Sequence, residues 1–413
     1  MAPKLLVLAF SGLVGQAAAL RVESFGCPSI SDILESMEQH ASESAAQITG
    51  CRRLAMCINT TSTGQDEAVA LGSINASIKS MRAFPDDMLV QSACISATAR
   101  PILFNRANAL LAGRLGGLNL TLAAYKRWMD EPRMALHGGD IGAYLNGCGE
   151  NLAILRELGG AQLLIQNIRN HFHGNLSDWA SKPVRLSLAG LASGCWMNAD
   201  LCYKEGFVQL AVQLMDEHTG EHRIAAEALG AVKAMIVEQS NFRHDFSRAG
   251  LMPVLAKILK GNSTEAKYSA CEAMSMMTGP VIKTSPLGGR AYKIFVPEIQ
   301  ANATRDGVLD QLIAAVTSEG DEEGDAAHAE CIGALMRMGW ENDANAQAIR
   351  QTGLPYRMEA KLTSGSFQAL SGKAACAFFS KPGFTPAKNT SDLCLKLDCG
   401  IACLGNHSSS ASE

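Results

Sequence analysis

A glycine followed by an amphipathic apolar run recurs along most of the 413-residue chain, and this periodicity constrains the fold more than anything else in the sequence. Gly72, Gly116, Gly159, Gly206, Gly250, Gly307 and Gly353 open the runs, and Pro28 holds the same place one period earlier. Successive anchors stand 44, 44, 43, 47, 44, 57 and 46 residues apart. Within a run the apolar residues fall at i, i+3, i+4 and i+7, as in Val208, Ala211, Val212 and Met215, so they share one face of a helix. A polar loop such as Asp216 to His222 follows, and then a helix of small residues such as Ala225 to Ile236, which can approach its neighbours closely. Upstream, Asn108, Asn151, Asn198 and Asn345 stand eight residues before their glycines and Asn241 nine before, where an Asn side chain is expected to cap a short helix. Such a unit cannot bury its apolar face alone, so neighbours must stack. The expected fold is all-α: an α-solenoid of about eight repeats coiled as a right-handed superhelix.

Composition agrees. The chain is 47% hydrophobic but only 6% aromatic, a mixture suited to helices packed on helices. Its formal net charge of −4 argues against a nucleic-acid partner or an anionic-membrane surface. Met1 to Ala19 reads as a secretory leader, with Lys4, the apolar stretch Leu5 to Gly15, and small residues Ala17 and Ala19 before a cleavage point; a buried first helix is the other reading. No later segment is apolar enough over 18 residues to suggest a membrane span. Eight N-x-S/T acceptors, at Asn59, Asn75, Asn119, Asn175, Asn262, Asn302, Asn389 and Asn406, exceed the roughly two or three expected by chance and fit a glycosylated chain, secreted or in an endomembrane lumen. The expected organisation is a leader over 1–19, a repeat array over 20–380 and a Cys-containing tail over 381–413.

The short Asn-led helix, glycine turn, Leu-rich second helix and Ala-rich third helix, clearest over Asn241 to Thr278 and Asn345 to Phe379, resemble the armadillo repeat family, with HEAT-like repeats the nearest rival. The resemblance covers roughly residues 28 to 380. It implies a scaffold whose third helices line a concave groove that holds a protein or peptide. In the members that carry nuclear cargo a ladder of Asn lines that groove. Here the corresponding places are Asn146, Ser193, Ala231, Met276 and Arg337, so the ladder is mostly missing and a different protein ligand is expected. Trp196 and Trp340, at the ends of third helices, are further groove candidates, or core residues. The resemblance also admits a lumenal nucleotide-exchange factor for a chaperone ATPase. The length of the array and the lack of a retention tetrapeptide in Ser408 to Glu413 count against that second function.

Thirteen cysteines invite a disulfide reading. Cys51, Cys94, Cys271, Cys331 and Cys376 fall 21 to 24 residues after their anchors, at one level of successive third helices. Stacked helices lie about 8–10 Å apart and a bridge needs Cα atoms within about 7 Å, so these are expected to be buried thiols. Cys148 and Cys195 meet the same objection. The bridging candidates are then Cys394, Cys399 and Cys403 in the tail, together with Cys27. A zinc site from the tail cysteines and His407 is the weaker alternative, its spacing being irregular.

No phosphate-cradling loop, nucleophile elbow or His-Glu-x-x-His helix is present, and the acidic run Glu319 to Asp325 lacks the spacing of a calcium loop. No enzyme activity, metal or cofactor is expected. The 57-residue step carries about 13 extra residues around Pro280 to Asn302. Arg290, Tyr292 and Phe295 in this insertion either contact a partner or fold back to fill a gap between repeats.

Overall fold

The computed structural model describes residues 27–145, 149–173, 180–194, 198–279, 281–283, 292–294, 296–317, 325–339 and 342–352. It divides into two compact units between Phe207 and Val208. Six of the seven anchor glycines fall in this range, and each has a left-handed backbone: Gly72, Gly116, Gly159, Gly206, Gly250 and Gly307 have φ between 69° and 99°. At Gly250, φ is 95° and nothing lies within 4 Å of an added Cβ, so glycine is required there by backbone conformation and not by space.

In the first unit, α1 (Ile30–Gln39) and α2 (Ser44–Cys57) are the second and third helices of the first repeat. The second repeat is α3 (Ser62–Ala70), α4 (Ser73–Ala83) and α5 (Met88–Ile102). In the third, α6 (Arg106–Arg114) and α7 (Gly117–Trp128) precede a third helix broken into α8 (Pro132–Ala135) and α9 (Gly138–Ala143). The fourth is α10 (Gly149–Glu157), α11 (Gly160–His171) and α12 (Lys182–Gly194), and α13 (Ala199–Lys204) opens the fifth. Third helices pack in sequence, α2 on α5, α5 on α9 and α9 on α12. The last pair is close because both sides are glycine: a Cβ on Gly142 would stand 3.0 Å from the Gly190 Cα.

The second unit continues the pattern with α14 (Phe207–Glu217), α15 (His222–Glu238), α16 (Phe242–Arg248), α17 (Leu251–Lys260) and α18 (Thr264–Thr278). After the insertion come α19 (Pro297–Arg305), α20 (Val308–Thr317), α21 (Asp325–Gly339) and α22 (Asp343–Gln351). Here α15 packs on α18 and α18 on α21, while α17 and α20 pair as second helices. The apolar stripe of α17 is fully used: Leu251, Met252, Val254, Leu255, Ile258 and Leu259 are all buried, each stabilising by about 1.5–3 kcal/mol. The insertion adds a short antiparallel ribbon, β1 (Val281–Lys283) with β2 (Tyr292–Ile294), in which Ile282 pairs with Lys293. The fold is otherwise helical, an α-solenoid in class.

Salt links between successive repeats recur at one sequence separation, with the cation on a second helix. Lys79 with Glu38, Arg127 with Asp86 and Lys257 with Asp216 are each 41 residues apart and largely exposed, so each contributes at most about 1 kcal/mol.

The repeating asparagines do not cap. Asn108, Asn151 and Asn345 lie inside α6, α10 and α22, buried, and each donates Nδ2 to the carbonyl seven residues earlier: Pro101 at 3.0 Å, Tyr144 at 2.7 Å and Met338 at 3.0 Å. Asn198 and Asn241 precede α13 and α16 without a side-chain capping bond. The caps are instead made three residues earlier by Asn105 and Asn342, whose Oδ1 atoms accept from the Asn108 and Asn345 N–H groups. The physical reason is that the last carbonyls of each third helix are buried under the next repeat, where water cannot reach them, and an amide donor is needed there. Where position −8 from the glycine lacks Asn, position −7 carries a donor, but one that reaches the end of its own repeat's third helix and not of the preceding one. Gln65 bonds the Arg100 and Leu103 carbonyls, Arg243 the Gly279 carbonyl, and Gln300 the Arg337 carbonyl.

The cysteine expectation is overturned. Cys51 pairs with Cys94 across α2 and α5, and Cys271 with Cys331 across α18 and α21, with Cα atoms 4.9 and 4.7 Å apart. The axial spacing of about 8–10 Å is not the Cα spacing: each Cα stands about 2.3 Å off its axis, so facing Cα atoms come within roughly 4–5 Å. Cys27 is bridged as expected, with Cys57, at 5.6 Å. Cys202 is also disulfide-bonded. Cys148, Cys195, Cys376 and the tail candidates Cys394, Cys399 and Cys403 lie outside the described residues.

Candidate functional site

Helix periodicity decides what the third helices of the second unit leave uncovered. On α18 the partly exposed residues include Tyr268, Glu272 and Met276, four apart, and on α21 they include Glu330, Gly333 and Arg337. On α15 Val237 is 56% exposed, while Lys233 is buried and pairs with Glu272 of α18. A pair this enclosed constrains the spacing of the two helices, since removing one partner would leave a desolvated charge. The Tyr268 hydroxyl is pushed up from its ordinary pKa, first by burial and then by the negative charges of Glu272 and Glu330. Burial lowers the Arg337 pKa, against the opposing effect of Glu330. Arg243, 8% exposed on α16, is pushed down to about 10 by burial and then by the charge of Arg337. It remains charged at neutral pH. The uncovered face therefore presents Tyr268, Met276 and Arg337, residue types that anchor protein interfaces, with the Lys233–Glu272 pair beside them and Arg243 buried near Arg337.

The first unit has its own polar cluster on the third helices. Ser92 Oγ of α5 lies 2.8 Å from His137 Nε2, and His137 Nδ1 lies 2.6 Å from Asp140 Oδ2. His137 occupies the break between α8 and α9, so the cluster ties the second repeat to the third. Its order is that of a nucleophile, base and orienting carboxylate, and it was not legible because Ser92 stands 45 residues from His137, on a different repeat. Acyl transfer also needs donors for an oxyanion. The Leu89 and Val90 N–H groups at the start of α5 are already taken by Asp87 Oδ1. A neighbouring cleft of about 560 Å³ is lined by Ala83 to Leu89 and does not include Ser92. The geometry is that of a clamp between repeats.

Of the residues the sequence singled out for partner contact, Arg337 lies on the second-unit face described above. Tyr292 lies in β2 opposite Lys283. Arg290, Phe295, Asn146, Trp196 and Trp340 fall outside the described residues, as do the sequons Asn175, Asn389 and Asn406. Asn59, Asn75, Asn119 and Asn262 are exposed, whereas Asn302 is half-buried and donates Nδ2 to Ser247 Oγ at 3.1 Å. Asn75 and Asn119 each stand three residues after an anchor glycine and share one place on α4 and α7. Tyr268 and Arg243 went unnoticed in the sequence. A signal for Arg243 exists: it is the one charged residue at position −7, where the other repeats carry Gln65, Ala109, Leu152, Ala199, Gln300 and Ala346. Among the described residues no group of three or more His, Cys, Asp or Glu could hold a metal ion, and no helix is long and apolar enough to cross a membrane.

No family model matches the chain, and no curated protein matches it. Among solved structures it is similar to an engineered protein from a structural genomics consortium, at a TM-score of 0.63 and 16% identity, covering 92% of this chain and 85% of that one. Two further engineered proteins from the same source match at a TM-score of 0.42, with 16% and 13% identity over 76% and 75% of this chain. The first likeness bears on the fold alone: the chain shares its backbone arrangement with a protein of unrelated sequence.

Proposed function

We propose that the chain is a non-enzymatic interaction scaffold of the secretory pathway, secreted or lumenal, that holds a protein or peptide against its third helices as the armadillo resemblance implies. The observation that carries the reading is the second-unit face, where Tyr268, Met276 and Arg337 stand partly exposed on helices held at fixed spacing by Cys271–Cys331 and Lys233–Glu272. The bridges favour an oxidising compartment. Removal of Met1 to Ala19 as a leader and glycosylation at Asn59, Asn75, Asn119 and Asn262 belong to the same reading. Glycans on Asn75 and Asn119 would occupy the second-helix side in the first unit and leave the third-helix side to a partner.

Photocrosslinking tests it. A crosslinker at Met276 of the secreted or lumenal protein is expected to capture a defined protein that a crosslinker at Lys257, on the second helix, does not. Equal capture from both places would remove the assignment of the face. Accelerated nucleotide release from a captured chaperone ATPase would replace the scaffold function by nucleotide exchange.

A further inference from the structure

Two arginines approach Gly279 in the second unit. Arg243 of α16 donates Nη1 to the Gly279 carbonyl at 2.5 Å, at the end of α18. Arg337 of α21 comes near the same glycine, its Nη1 3.7 Å from where a Cβ on Gly279 would stand. The carbonyl does not need a cation: in the second and seventh repeats Gln65 and Gln300 make the equivalent bond with a neutral amide. Arg243 brings a charge that the bond does not use, at 8% exposure, and its Nε is buried without a hydrogen-bond partner. No hydrogen bond from a described residue reaches the Arg337 guanidinium. A buried guanidinium with an unfilled donor beside a second, partly exposed one is costly unless an anion bridges them. Glu330 is the acidic group whose charge acts on Arg337. Two guanidiniums against one carboxylate leave a single positive charge, which suits a monoanion over a phosphate dianion. Planar donor pairs match a carboxylate.

We propose that Arg243 and Arg337 form a carboxylate site that takes an Asp or Glu side chain of an acidic peptide lying on the third-helix face. This rests on the scaffold reading and adds the chemistry of its ligand. The overall charge of the chain is negative, so the attraction is local to the pair.

The test uses fluorescein-labelled hexaglutamate and hexaglutamine peptides, with binding followed by anisotropy on the full chain. Hexaglutamate is expected to bind the native chain at least tenfold more tightly than hexaglutamine. The Arg243→Gln, Arg337→Gln double variant should lose that preference while its melting temperature stays level or rises, because Gln at 243 keeps a donor for Gly279 and a repulsion is gone. Should the double variant fail to fold, Arg337→Gln alone, which breaks no side-chain hydrogen bond, is expected to lose most of the preference. Equal affinity for both peptides, or hexaglutamate binding unchanged in the variants, overturns the site. Displacement of hexaglutamate by inorganic phosphate at far lower concentration than by acetate, at matched ionic strength, overturns the carboxylate assignment. Crosslinked capture at Met276 that survives both substitutions leaves the scaffold and removes this site. Hexaglutamate preference without capture does the reverse.

Discussion

Removing the Cys51–Cys94 bridge should separate what the repeats do by packing from what they do by covalent linkage. The two cysteines are 43 residues apart, fully buried, and joined across neighbouring third helices. In the chain-entropy account, releasing a closed loop of this length frees about 13 cal/mol/K in the unfolded ensemble, or roughly 4 kcal/mol at 25 °C. Replacing both residues by Ala keeps the site apolar and removes little volume, so the loss of the link dominates. With a urea slope of about 2 kcal/mol/M, the midpoint of first-unit unfolding should fall by on the order of 2 M. Urea unfolding followed by hydrogen exchange would assign the shift to α2 and α5, as nearest-neighbour coupling requires. The Cys271→Ala, Cys331→Ala variant should affect α18 and α21 in the same way. A midpoint change below about 0.3 M, equivalent to roughly 0.6 kcal/mol, would refute the reasoning. So would alkylation of Cys51 and Cys94 in the native oxidised protein.

Gly250→Ala should cost about 1–2 kcal/mol in chemical denaturation, all of it from the left-handed backbone, since the added Cβ meets nothing; a neutral result would mean that the turn relaxes. Asn151→Ala leaves the Ala109 and Tyr144 carbonyls without their amide donor and should cost about 2–3 kcal/mol, more than Asn105→Ala, which removes an exposed-end cap worth about 1 kcal/mol. Tyr125 and Tyr144 are buried, and burial is the main cause raising both hydroxyls above the ordinary range. The native state holds these protons after the unfolded chain has released them, so stability should fall as pH rises above about 10. Absorbance titration should show these two of the six tyrosines ionising only with unfolding, and reversible early ionisation of all six would contradict their burial.

The anchor glycines were legible because a left-handed turn can be met at low cost by little else, and that demand recurs in six of the described repeats. The second-helix stripe was legible for the same kind of reason: α17 buries the residues its period selects. Asn108 and Asn151 were misassigned because a short amide before an apolar run suits either a cap or a buried donor, and only the packing of the next repeat decides. The disulfides between third helices failed on a confusion of axial and Cα distance, not on missing information. The Arg243–Arg337 approach and the Ser92–His137–Asp140 cluster were out of reach because their members belong to different units of the repeat, and periodicity aligns such positions without saying which of them touch.

The bridges have a consequence for what happens when the main chain is cut. Cys27–Cys57, Cys51–Cys94 and Cys271–Cys331 each enclose at least one connecting segment between helices. A protease that nicks the 84–87 turn or the stretch between Lys283 and Tyr292 would therefore leave the two pieces fastened side by side. Cleaved protein should run as fragments only after reduction, and the arrangement of its helices would outlast the continuity of its backbone.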